Sequence, residues 1–277
     1  ESLVMSYEDG LAQGEAAARA VGCDTAENVV ECLQNVSAEE LVLARPVQED
    51  VDAGIRRFSW GPVAGSAPLS DWPSKILESG SFNKVPVLLG TNKDDGVFFA
   101  FVRGLIGLDE EEYPAAIVME SSEEEAEQVS ELYPIENPDQ PAMAIANLLS
   151  DKLFNCPMAI DARTMDAHEV DVYRYYFTQS IENGFLASYG TAHGAEMPFI
   201  FGDAVEDAYF LGEKDANLSE QIMGYWTQFA RSGNPNTIDG FQWPLFTDAV
   251  ENYLDLNDDM NVQTDLRRDY CAFWDAR

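Results

Sequence analysis

His193 is one of two histidines in 277 residues, the other being His168. It lies in the loop Ser188-Tyr-Gly-Thr-Ala-His-Gly-Ala-Glu-Met-Pro-Phe-Ile-Phe-Gly202, downstream of the strand-like segment Val170 to Thr178. Asp94 and Asp95 end another loop, Thr91-Asn-Lys-Asp-Asp-Gly96, which follows the apolar run Val85-Pro-Val-Leu-Leu-Gly90. A neutral imidazole takes and returns a proton near neutral pH. A carboxylate beside it fixes the tautomer and stabilises the imidazolium as it forms. Acid first and histidine later in the chain is a workable order for the back half of a nucleophilic relay. Residue types alone leave two other readings open. A loop histidine can simply face solvent, and strand-end aspartates commonly cap turns.

The elements that must position these groups alternate between helix and strand. Helices are expected over residues 6–21, 26–34, 38–44 and 72–79, with Ser37 and Glu40 forming a capping box and Gly80 ending the fourth. Residues 45–74 are rich in Pro and Gly, with Phe58 to Trp60 as a short strand inside them. Val85–Gly90 reads as a buried parallel strand, Val170–Thr178 has strong strand character, and Tyr253–Leu256 suggests a short closing strand. Between them, helices are expected over Phe98–Ile106, Asp109–Met119, Ser121–Leu132, Ala142–Cys156 and Met158–Asp166, with Pro157 as an interruption. Asn217, paired with Glu220, should cap a helix that ends at Gly233, and a terminal helix runs Thr264–Trp274. There is no internal repeat and no flexible linker, so one α/β unit is expected.

Composition excludes several partners. The apolar share is 46%, enough for a sizeable core, yet no apolar run reaches the length of a membrane span. Fifty acidic residues stand against 16 basic ones, a net charge of −34 that argues against nucleic acid and anionic membrane surfaces. The charge suits a solvating surface in a saline or secreted setting, or the steering of cations. The segment Glu1-Ser-Leu-Val-Met-Ser has no basic region followed by an apolar one, so no signal peptide is expected in this sequence. Cys23, Cys32, Cys156 and Cys271 include no Cys-x-x-Cys pair, against a zinc or thioredoxin site. Four cysteines are compatible with two disulfides and an oxidising compartment, and spacing alone leaves three pairings.

A nucleophile is missing from the pattern. The chain contains no Gly-x-Ser-x-Gly elbow and no Gly-Gly dipeptide for an oxyanion loop. Several segments nevertheless form an ordered set. They are Asn83-Lys-Val-Pro-Val-Leu-Leu-Gly-Thr-Asn-Lys-Asp-Asp-Gly96, Phe154-Asn-Cys-Pro157, Ala192-His-Gly-Ala-Glu-Met-Pro-Phe-Ile-Phe-Gly202, Tyr225-Trp-Thr-Gln-Phe-Ala-Arg-Ser-Gly-Asn-Pro-Asn236, Trp243-Pro244 and Cys271-Ala-Phe-Trp-Asp275. Together they resemble the type-B carboxylesterases, the family of the cholinesterases, carboxylesterases and some fungal lipases. The segment ending at Gly96 is similar to that family's acid-bearing segment, and the one ending at Gly202 to its histidine segment.

The resemblance covers nearly the whole chain and implies the C-terminal part of an α/β-hydrolase domain over residues 1–277. On that reading the half with the serine elbow lies before Glu1. It implies that His193 is the general base and acid and that Asp95, where the family usually has Glu, is the acid of the triad. Asp94 and Glu196 take structural roles, and the disulfides join Cys23 to Cys32 and Cys156 to Cys271. Phe98, Phe99, Phe199 and Phe201 stand near the site, though core packing is the better explanation of them. The implied activity is carboxylic ester hydrolysis through a serine acyl-enzyme, on a small-molecule ester, with no cofactor and no metal, in a secreted, periplasmic or extracellular protein. The 277-residue chain alone is expected to be inactive. The alternatives are a non-catalytic adhesion module of the same superfamily and a self-contained acidic binding domain. The residue at the nucleophile position separates them. Oligomeric state and the particular ester are not readable from the sequence.

Overall fold

The computed structural model describes residues 4–44, 60–180, 190–202, 211–212, 215–237 and 240–276. The chain falls into two compact units, Glu1–Phe82 and Asn83–Arg277. The first holds α1 (Tyr7–Ala20), α2 (Val29–Gln34), α3 (Ala38–Leu43) and α4 (Pro73–Ser79). Ser6 caps α1 by accepting from the Asp9 N–H, and Ser37 and Glu40 form the capping box of α3. Gly80 closes α4 in the left-handed conformation that a residue without Cβ adopts freely. A disulfide joins Cys23 to Cys32. Of the short strand expected at Phe58–Trp60, Phe58 and Ser59 lie outside the described residues.

The second unit is built on a four-stranded sheet in the order β1 (Val87–Asn92), β2 (Val172–Phe177), β3 (Tyr253–Leu256) and β4 (Asn261–Gln263). The first three run parallel and β4 returns antiparallel. The helices of this unit are α5 (Asp95–Val102), α6 (Tyr113–Glu120), α7 (Ala126–Leu132), α8 (Ala142–Ser150), α9 (Cys156–Ala167), α10 (Met197–Phe201), α11 (Ala216–Ser232) and α12 (Arg268–Trp274). The architecture is α/β, with a mostly parallel sheet flanked by helices. Strand β2 explains why the sheet needs cover on both faces. Tyr173, Tyr175 and Phe177 point one way, against Phe229, Trp243, Trp226 and Phe199. Arg174, on the opposite face, donates to the Asn155 carbonyl. All of β2 except Tyr176 is buried, as a parallel strand between helix layers must be.

Several elements differ from the sequence reading. Strand β1 begins at Val87 rather than Val85 and runs on through Thr91 and Asn92, which pair with Tyr176 and Phe177. Pro86 has no N–H to give to the ladder, so pairing starts after it. The expected loop over 91–96 is cut short because α5 already begins at Asp95. Pro157 does not interrupt the helix as expected. A π-helical turn over Asp151–Asn155 links α8 to α9, and the Cys156 N–H reaches back five residues to the Asp151 carbonyl. A wider turn is one way a helix accommodates a proline that lacks a donor and crowds the preceding turn. Asn217 is not the cap of α11. The cap lies two residues earlier, at Asp215, which is buried and held by Gly212 N–H and Gln179, and the helix starts at Ala216. The helices α6, α7 and α12 are shorter at their N-termini than expected.

Gly96 shows how tightly α5 must seat. A Cβ there would lie 2.0 Å from the Ala146 carbonyl oxygen and 2.5 Å from the Ser150 nitrogen, both backbone atoms of α8. The Gly96 N–H donates to Ser150 Oγ at 2.9 Å. Gly96→Ala is therefore expected to push α5 off α8 and to cost about 3 kcal/mol, the upper range for overpacking. A urea midpoint unchanged from the parent would show that α8 yields without cost.

Candidate active site

The ends of β1 and β2 bring two distant loops together. Phe177, the last residue of β2, pairs with Asn92, and its carbonyl accepts from the Lys93 N–H at 3.0 Å. Asp94 then bridges in parallel to Ala192, with the Asp94 N–H donating to the Thr191 carbonyl. Asp94 Oδ2 accepts from the Thr191 N–H at 2.9 Å. So Asp94 ties the loop before His193 to the end of β1. This is the C-terminal edge of the parallel strands, where open α/β sheets assemble their sites.

One residue on, Asp95 faces His193. Asp95 Oδ1 lies 2.8 Å from His193 Nδ1, and Asp95 Oδ2 accepts from the Asn92 N–H at 2.8 Å. The side chain of Asp95 is 4% exposed and that of His193 is 48% exposed, so the pair is held from within and open on the imidazole side. With Nδ1–H donated to Asp95, Nε2 is left as the basic nitrogen. The hydrogen bond to Asp95 raises the His193 pKa above its ordinary value, partly opposed by burial. Glu196 adds a weaker upward pull. Burial raises the pKa of Glu196 itself. Its Oε2 accepts from Asn92 Nδ2.

Among the described residues, three aromatic rings border the imidazole. Phe154 lies 5.1 Å away between centroids, Phe99 5.4 Å and Phe98 6.4 Å, the last stacked. Phe98 and Phe99 extend along α5 from Asp95, so the helix that places the carboxylate also places two rings. Phe199 instead fills the core against Phe177, and Phe201 is 69% exposed with no ring contact to His193 among the described residues. Two participants escaped the sequence reading. Phe154 comes from the π-helical turn, and its only signal was its place in the segment Phe154-Asn-Cys-Pro157. Asn92 reads as an ordinary strand-end polar residue; its only signal was its place in the acid-bearing segment.

The sequence profile of the Carboxylesterase family matches residues 2–274. Acetylcholinesterase of Electrophorus electricus is 25% identical over 328 residues, covering 98% of this chain and 51% of that protein. Acetylcholinesterase of Bungarus fasciatus is 27% identical over 279 residues, covering 92% of this chain and 45% of that protein. The chain spans about half the length of the curated relatives it matches. Among the described residues, no helix is long and apolar enough to cross a membrane.

Proposed function

The chain belongs to the carboxylesterase family, and on that footing we propose that it supplies the histidine and the carboxylate of a serine esterase. The observation that carries the reading is the 2.8 Å contact between a buried Asp95 oxygen and Nδ1 of the half-exposed His193. In the proposed reaction a serine from outside residues 1–277 attacks the ester carbonyl. His193 Nε2 takes the serine proton and returns it to the leaving alcohol, giving the acyl-enzyme. It then takes a proton from water and returns it to the serine as the acid is released. Asp95 keeps the ring oriented and balances the transient imidazolium. The rings of Phe98, Phe99 and Phe154 suit an apolar part of a small carboxylic ester. The two disulfides suit an oxidising, extracellular setting.

A fluorophosphonate ester tests the reading on the complete gene product. One serine outside residues 1–277 should be labelled, with parallel loss of ester hydrolysis. Undiminished turnover in fully treated protein, or no labelled serine, overturns the proposal.

The pH profile gives a second expectation. His193 must be neutral to accept the serine proton, and its pKa is raised above 6.5. The acid limb of kcat/KM should therefore lie above 6.5, with activity lost as pH falls through it. Asp95→Asn removes the chief cause of the shift. The limb should move down while kcat falls about 10⁴-fold, the scale seen when a triad carboxylate loses its charge. A limb that stays in place would assign it to another group.

A further inference from the structure

Beyond the two relay residues, and resting on the esterase reading, we infer that Asn92 is a positioning residue that braces the His193 loop against the Asp95 turn. Asn92 is 2% exposed at the end of β1. Its backbone N–H donates to Asp95 Oδ2 at 2.8 Å. Its side-chain Nδ2 donates to the carbonyl of Ala192, the residue before His193, at 3.0 Å, and also to Glu196 Oε2, three residues after His193. One residue thus grips the carboxylate and both flanks of the histidine. The amide orientation follows from its neighbours, because two acceptors converge on one side and only the NH₂ end can satisfy them. The Asn92 Oδ1 atom is buried with no hydrogen-bond partner among the described residues. The side chain is therefore kept for its two donated bonds, and a residue that cannot donate both does not replace it.

Geometry sets the consequence. The Asp95–His193 contact joins the first residue of α5 to a loop residue 98 positions away in sequence. A shift of about 1 Å in such a contact can cost on the order of 100-fold in rate. Asp94 holds the loop through Thr191, on the side away from Glu196. Asn92 is the described residue whose side chain reaches past His193 to its C-terminal flank.

The test follows His193 itself and needs no ester. Imidazole NMR titration of the complete gene product, with the His193 signal assigned by its loss in His193→Gln, reads the His193 pKa and its Nδ1 proton. Among the described residues, the charged groups acting on the ring are Asp95 and Glu196. Asn92→Leu should weaken the bond to Asp95, so the His193 pKa falls toward 6.5 and the slowly exchanging Nδ1 proton is lost. Thr91→Val is the control. It removes a buried bond of the same strand, from Thr91 Oγ1 to Asn155 Oδ1 at 2.6 Å, and should leave both signals in place. In the hydrolysing gene product, Asn92→Leu should lower kcat about 10²-fold with KM within about threefold. If Asn92→Leu does not fold, Asn92→Asp keeps the shape and should lose the same proton, because an acceptor then faces two acceptors. An unmoved His193 signal in either folded variant overturns the inference. So does an unfolded Asn92→Asp beside a folded Thr91→Val, because that would make Asn92 a general pillar of the fold. Were no ester hydrolysed while Asn92→Leu still moved His193, the esterase reading would fail and the brace would stand.

Discussion

His193→Ala is expected to lower kcat of the complete gene product about 10⁶-fold, with any residual rate independent of pH across the former acid limb. The size follows from the way relay members act as a unit. Removing the base leaves the serine protonated and the leaving alcohol without a proton donor, so one deletion costs nearly as much as losing the whole relay. Whatever rate remains above water would come from binding and oxyanion stabilisation alone. Little stability should be lost, because the His193 side chain is 48% exposed and its ring borders Phe98, Phe99 and Phe154 without filling the core. That separation of activity from stability is the informative part. A variant that melts like the parent but retains a tenth of the activity would remove His193 from the chemistry. Asp95→Asn should fall short of the histidine deletion, since it keeps the imidazole and loses only its orientation and counter-charge.

How much of this site was legible beforehand depended on the kind of interaction. The parallel strands were readable because β-branched and apolar runs signal burial, and Tyr253–Leu256 falls where the pattern put it. The start of α5 was not readable. Asp94-Asp95-Gly96 has the composition of a turn, and what makes it helical is the fit of Gly96 against the backbone of α8, a contact between residues 50 apart. Which aspartate faces His193 was likewise invisible to spacing. Asp94 and Asp95 are equivalent in composition, and resemblance to a family was the only basis for preferring one. In the structure Asp94 accepts from Thr191 N–H and Asp95 meets the imidazole. The continuous helix through Pro157 was misread for a related reason. Local propensity marks a break, whereas the π-helical turn removes the conflict and brings Phe154 to the imidazole.

The second large effect concerns stability and turns on the two disulfides. Cys156 and Cys271 are 115 residues apart, whereas Cys23 and Cys32 are 9 apart. If a cross-link acts by restricting the unfolded chain, its contribution grows with the loop it closes. The loop-closure relation gives about 5 kcal/mol for the longer loop and about 2.6 kcal/mol for the shorter. Paired replacement of Cys156 and Cys271 by Ala should therefore cost about twice as much as the same change at Cys23 and Cys32, read by urea unfolding at pH 7. The longer bond has a further consequence for the site. Cys156 opens α9 directly after the turn that carries Phe154, and Cys271 lies in α12. A second tie joins the same elements, since Arg267 Nε donates to Asp151 at 2.9 Å and the Asp151 side chain is fully buried. With the disulfide gone, that pair is the charged tie left between α12 and the turn, beside the Lys152 ammonium over the Trp274 ring and the Trp274–Tyr133–Asp151 hydrogen bonds. Arg267→Ala added to the double cysteine variant should then cost up to about 3 kcal/mol more, because the buried carboxylate loses its cationic partner while Tyr133 and Asn155 still donate to it. Equal losses from the two disulfides would rule out loop entropy as the main term and point to native contacts around each bond instead.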